Sequence, residues 1–341
     1  MAPMKNMVEW KNLILSSDKK KAMPVLSFPC IQLMGVTVRE LISDSALQAE
    51  GMKRVAERAP ALASLSMMDL SVEAEAFGSK IHVADDEVPT VTGRIIESED
   101  DARALKVPPV SAGRTALYVK ALEKAVKTIT DRPVFGGVIG PFSLAGRLTG
   151  MSEIMVNCYV EPDTVHIALE KASEFITNYI LEFKRAGAHG VVMAEPAAGL
   201  LSPSLSDEFS SSYIKGIVEK TQSDGFIFIY HNCGPNTPHI LGQLAAIGAG
   251  GYHFGDAVSM TDILKGMPSD RLVFGNVSPA REFTSGTPDS VYAATAKLLS
   301  ECGKYKNFVV SSGCDIPPTT KWENIDAFFR AVDDYCALEP V

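Results

Sequence analysis

DTVHIALEKASEFITNYILEFKRAGAHGVVMA, residues 163–194, contains the alternation on which the fold turns. Residues 163–187 are amphipathic at the helical period, and GVVMA at 190–194 is a short apolar run rich in β-branched residues, the mark of a strand. Working outward, further strands are expected at PVLSF (24–28), ALASLS (61–66), PVFGGVI (133–139), FIFIY (226–230), GYHF (251–254), RLVFGN (271–276) and FVVSS (308–312), eight in all. Amphipathic segments at 115–129, 206–222, 289–303 and 322–336 stand between or after them. Strands alternating with helices at this spacing predict βαβ units and a parallel sheet, and eight of them predict an α/β fold closed as a (β/α)8 TIM barrel. The rival, an open doubly wound sheet, lacks a GxGxxG after the first strand.

Residues 67–112 follow neither period. They include a strand-like KIHV and a helix-like EDDARAL, and are expected to form an excursion after the second strand. No repeat, low-complexity tract or linker divides the chain, so residues 1–341 are expected to form one barrel domain with an N-terminal helical extension. With 46% hydrophobic residues there is ample material for a core. A net charge of −9 and a pI near 5.3, with DKKK at Asp18–Lys21 the densest basic run, argue against a nucleic-acid partner. The absence of any stretch of about 18 apolar residues argues against a membrane span. The N-terminus carries no long apolar h-region, and a cytoplasmic protein is expected. Six cysteines in so long a chain do not make a disulfide framework; in a reducing compartment thiols are buried, catalytic or metal-bound.

The chemistry concentrates at strand ends. In YHNCGPN (230–236) the period of two places His231 and Cys233 on one side, with Asn232 facing away. After the eighth strand, SSGCDIPP (311–318) supplies Cys314. The C-terminal ends of barrel strands open into one mouth, so the three side chains can meet there. One His and two Cys form the donor set of catalytic zinc, with a fourth position left for water or substrate. Thiolates favour zinc over magnesium or calcium, and no fourth Cys is nearby for an iron–sulfur cluster. The plainer alternative is that the cysteines pack as small hydrophobes.

Other residues carry two readings each. Glu195, ending the fourth strand, either faces the mouth and orients substrate or caps a turn; Asn276, ending the seventh, either hydrogen-bonds substrate or caps the next helix. Cys30 is placed at the first strand's end, where it could line the mouth. Cys158, Cys302 and Cys336 fall in helical segments and are expected to pack, while His82, His166, His189 and His239 are expected in surface or core roles.

HNCG (231–234), GNVSP (275–279), SSGCDIPPTTKWENIDAF (311–328), IGPFSLAGRLTG (139–150) and AEPAAGLLSP (194–203) together resemble the uroporphyrinogen decarboxylase superfamily. More closely, they resemble its zinc-dependent branch, the methylcobamide:coenzyme M methyltransferases of methylotrophic methanogens and their bacterial relatives. The resemblance runs over essentially the whole chain. It implies a (β/α)8 fold, zinc held by His231, Cys233 and Cys314 in the barrel mouth, and transfer of a methyl group from a methylated corrinoid protein to a thiol. In GYHFGD (251–256) the family's acidic residue does not align uniquely; Asp256 is the nearest candidate for a transient fourth ligand, and His253 is the other residue that could face the site. The chain lacks the DxHxxG cobalamin-binding motif, so the methylcobamide donor is expected to arrive on a corrinoid protein in trans.

Three alternatives remain at this stage. Tetrahydrofolate or another thiol could be the acceptor. Uroporphyrinogen decarboxylation, a cofactor-free reaction, calls in that branch for arginine soon after the first strand, where LSFPCIQLMGVTVRE has only Arg39. A non-catalytic module that binds corrinoid proteins would hold a structural metal with four ligands rather than three.

Overall fold

The computed structural model describes residues 6–338; residues 1–5 and 339–341, part of the single domain expected from sequence, lie outside the described residues. Among the described residues nine strands occur in chain order: β1 (Ser64–Leu65), β2 (Lys80–His82), β3 (Thr90–Thr92), β4 (Val134–Ile139), β5 (Gly190–Ala194), β6 (Ile227–Asn232), β7 (Gly251–Phe254), β8 (Leu272–Val277) and β9 (Phe308–Ser312). Seven form one parallel sheet in the order β1-β4-β5-β6-β7-β8-β9, curled as in a TIM barrel. These strands read as continuous apolar runs because both of their faces are buried. Phe135, Val192, Ile229, Phe274 and Val309 pack in an inner cluster, while their neighbours Val134, Val191, Phe228, Val273 and Val310 pack outward in the larger cluster that includes helix residues.

The eighth stave departs from expectation. Residues 24–28 form no ladder; the segment just before them makes a single parallel bridge, Ala22 to Val310. Met23 N–H donates to the Val310 carbonyl, and Leu62 N–H donates to the Ala22 carbonyl, so this segment still connects β9 to the chain entering β1. Pro24 has no N–H to continue a ladder, and the next donor, Val25 N–H, turns to Ser312 Oγ at 3.0 Å. ALASLS shrinks to the two residues of β1.

The expected helices are present at Thr115–Thr128, Pro162–Arg185, Pro288–Cys302 and Trp322–Leu338. The segment at 206–222 is less regular, with a π turn at Asp207–Ser211 leading into Ser212–Thr221. Between β1 and β4, KIHV supplies β2 of an antiparallel β2–β3 hairpin, and EDDARAL supplies the helix Glu99–Ala104. Buried Asp69 ties this region down. Its carboxylate accepts from Ser71 N–H at 3.0 Å, Ser71 Oγ at 2.6 Å and Tyr118 Oη at 2.7 Å, and pairs with Arg114, which also reaches Glu75 at 2.6 Å.

Helix Met7–Ser16 closes the floor of the barrel. Met7, Trp10 and Ile14 join the inner cluster, with the Trp10 ring edge-on to Phe135 at 5.6 Å. Met7 N–H donates to the Asp224 carbonyl and Lys11 Nζ to the Asp270 carbonyl, both at the chain entry to strands rather than at their C-terminal ends. No helix among the described residues is long and apolar enough to cross a membrane.

Candidate metal centre

His231 continues the inward parity of Ile227 and Ile229 along β6, and Cys233 follows it at the strand's C-terminal end. Asn232, facing the other way, fixes the turn: its Oδ1 accepts from Gly234 N–H at 2.9 Å and Thr237 Oγ1 at 3.0 Å. This is the local bonding for which Asn is favoured in turns. Cys314 comes from the loop after β9. One ligand-type atom from each of His231, Cys233 and Cys314 lies within 4.8 Å of the others, and Cys314 Sγ stands 3.6 Å from His231 Nε2.

Two glycine positions let the loops come this close. A Cβ on Gly255 would sit 2.5 Å from Cys233 Cβ, and one on Gly234 would sit 2.3 Å from Gly199 Cα. Side chains there would push the loops after β5, β6 and β7 apart.

A buried chain of hydrogen bonds sets the protonation of His231. Ser311 Oγ donates to the Met23 carbonyl at 2.7 Å, so it must accept from His253 Nε2–H at 2.8 Å. His253 Nδ1 is then bare and accepts His231 Nδ1–H at 2.7 Å. That leaves His231 Nε2 unprotonated and aimed at Cys314, the tautomer a metal requires. Burial, reinforced by His231, pushes the His253 pKa well below its ordinary value, which keeps His253 neutral. The hydrogen bond between the two sulfurs holds the Cys233 thiol below its ordinary value and, with burial, pushes Cys314 up to about 12. A divalent cation there would displace the proton they share.

The other expected site residues are placed differently. Glu195 does not face the mouth: it is fully buried, and its carboxylate accepts from Phe142 N–H at 2.9 Å and Ser143 N–H at 2.6 Å, capping the start of helix Pro141–Thr149. Burial raises it to about 7 against those bonds. His253 backs His231 instead of presenting itself to substrate. Asp256 is exposed beside Gly313, outside the three-residue cluster. Asn276 neither caps a helix nor reaches the cluster; its Nδ2 donates to the Gly255 and Val258 carbonyls at 2.8 and 2.9 Å, bracing the loop after β7. Cys30 is buried in helix Cys30–Met34 against Gly51, and burial lifts its thiol to about 12.

Ser311 and Arg147 carry no assigned role in the sequence. Inward parity with Val309 was a signal for Ser311; for Arg147 the signal was a lone basic residue in GPFSLAGRLTG, just beyond a strand end. Cys233 opens onto a cavity of about 560 Å³ walled by helix Pro141–Thr149 and the loops after β5 and β6, and Arg147 is on its wall.

His253→Phe should leave the barrel folded and lower metal affinity about 10–100-fold, the usual cost of losing a ligand's supporting partner. Competition against a chelating dye measures this; unchanged affinity would show that the relay does not orient His231.

The family model described as uroporphyrinogen decarboxylase (URO-D) matches residues 20–335. "Methylcobamide:CoM methyltransferase MtbA" from Methanosarcina acetivorans is 26% identical over 271 residues, covering 78% of each chain. "Uroporphyrinogen decarboxylase" from Coxiella burnetii is 28% identical over 308 residues, covering 85% of this chain and 81% of its own. Among solved structures, a methyltransferase from Methanosarcina mazei superposes with a TM-score of 0.86 at 24% identity, covering 97% of this chain and 99% of its own. With the family match running through every strand of the curled sheet, the chain belongs to the uroporphyrinogen decarboxylase family.

Proposed function

We propose that the protein is a zinc-dependent methyltransferase that moves a methyl group from a methylcobamide, carried by a separate corrinoid protein, to a small thiol. The observation that carries this is the meeting of two cysteine sulfurs and a bare imidazole nitrogen beside a cavity. Zinc bonds of about 2.3 Å to sulfur and about 2.0–2.1 Å to nitrogen, at a tetrahedral angle, put S and N about 3.6 Å apart. Cys314 Sγ and His231 Nε2 are 3.6 Å apart. His231, Cys233 and Cys314 would hold the ion, and Asp256 is not among the residues whose ligand atoms converge there.

A free thiol has a pKa near 8.5 and is mostly protonated at neutral pH, whereas its thiolate is the nucleophile. Zinc, when bound, supplies the Lewis acidity that makes an incoming thiol a thiolate at neutral pH. The chain's own residues do the rest. Cys233 and Cys314 temper that acidity with two negative charges, so the substrate sulfur stays nucleophilic, and the relay from His231 to Met23 holds the imidazole in place. The sulfur attacks the methyl carbon, the carbon–cobalt pair returns to cobalt, taking it from Co(III) to Co(I), and the thiol proton is released to solvent.

Decarboxylation is favoured less by these features. Arg39, the only arginine soon after residues 24–28, is exposed and bound to Asp85 at 2.8 Å. The relatives on either side are about equally similar, so what favours thiol transfer is the donor set. A partner carrying the corrinoid is supported by exposed Val156, Tyr159 and Val160, one apolar face of helix Met151–Val160, whose Met151 lies at the cavity rim with Leu200. Thiol chemistry of this kind suits the reducing cytoplasm.

The test supplies methylcobalamin with coenzyme M, homocysteine or tetrahydrofolate and follows loss of the methyl–cobalt absorbance. Thiol-dependent loss with zinc-loaded protein is expected. Turnover only with tetrahydrofolate would move the assignment to that acceptor, and turnover of uroporphyrinogen without any thiol reaction would replace it.

A further inference from the structure

Arg147 stands in the last turn of helix Pro141–Thr149, partly buried. It lines the cavity onto which Cys233 opens, and it is the one charged side chain among the described residues lining it. A guanidinium carries five donors in a planar fork. Arg114, by contrast, spends its donors on Asp69, Glu75 and Ser71. Arg147 has no hydrogen bond or ion pair among the described residues. Of the two carboxylates that act on it from a distance, Asp69 is taken up by Arg114, Tyr118 and Ser71, while Glu73 accepts the Ile139 N–H at 3.0 Å with one oxygen and has no hydrogen-bond partner for the other; neither bonds Arg147. Partly buried donors without an acceptor are costly unless a ligand completes them. Arg147 also lines a second cavity, which carries the acidic residues Asp86, Glu87 and Asp315, so an anion is drawn to the cavity shared with Cys233. The helix that carries Arg147 is fixed at its other end by Glu195, which gives the guanidinium a firm base.

We propose that Arg147 is the residue that selects the acceptor, holding the sulfonate or carboxylate tail of a small thiol whose sulfur lies toward Cys233. This rests on the thiol-transfer reading above. A planar acid matches the guanidinium fork with two parallel hydrogen bonds, which a neutral hydroxyl cannot do.

Calorimetric titration of zinc-loaded protein with 2-mercaptoethanesulfonate, 3-mercaptopropionate and 2-mercaptoethanol reads the preference without turnover. The wild type should bind the two acidic thiols about 10–100-fold more tightly than the neutral one, as a charge-assisted pair allows. The two acidic arms distinguish sulfonate from carboxylate. Arg147→Gln should reduce the preference to within about twofold while leaving zinc content and 2-mercaptoethanol affinity unchanged. Those two quantities also report folding, and Arg147→Met serves as the second variant if the first fails them. A preference that survives both substitutions, or its absence from the wild type while all three thiols bind, overturns the role of Arg147 alone. If no thiol binds zinc-loaded wild type, thiol transfer itself fails and this assignment with it.

Discussion

Cys314→Ala protein is expected to purify without stoichiometric zinc and with methyl transfer to thiols abolished, while its fold persists. Cys314 sits on a loop after β9, and its sulfur meets Cys233 and His231, so its loss removes a donor without opening the inner or outer core. A supporting partner costs about 10–100-fold in affinity, and a direct donor costs more. Cys233→Ala should behave alike. Metal analysis of the purified chains, together with the absorption of cobalt-substituted samples, reads the outcome. Sulfur-to-cobalt charge-transfer bands should weaken on losing either cysteine. Full zinc content and full activity in either variant would end the metal assignment.

The second large effect is on stability. Arg114→Met would leave Asp69, whose side chain is 0% exposed, without its ion-pair partner, although Tyr118 and Ser71 would still donate to it. Removing one partner of a buried pair typically costs about 3–5 kcal/mol. Urea denaturation should show a loss of that order, and the double variant Asp69→Asn/Arg114→Met should recover part of it, because no buried charge is then stranded. A loss under about 1 kcal/mol, the range of exposed pairs, would mean that the cluster is solvated in solution.

Where a local pattern sufficed, the fold was legible in the sequence. PVFGGVI, GVVMA, FIFIY, GYHF, RLVFGN and FVVSS all overlap strands of the sheet. PVLSF did not become one, because the proline that makes the run look well bounded also deprives it of a donor. The hairpin and short helix at 67–112 could be named piece by piece, but the Asp69–Arg114 pair that anchors them spans 45 residues and follows no periodicity. At the site, strand parity put His231 and Cys233 on one side, and barrel closure brought Cys314 to them. The relay behind them joins positions 231, 253, 311 and 23, four separate stretches of chain, so its order could be read only from the assembled barrel. Glu195 misled for a similar reason: the amides it accepts from belong to a helix 52 and 53 residues earlier.

Helix Met7–Ser16 has a consequence for traffic. With Met7, Trp10 and Ile14 filling the barrel at the end where its strands begin, the doorway to the candidate metal centre is at the other end, where Cys233 lines the cavity. Under the proposed activity, a bulky carrier protein covers the same doorway that a small acceptor uses, so an acceptor that enters first and a methylated product that leaves after the carrier is the order expected. A short helix remote from every reacting atom thereby bears on the order of arrivals and departures.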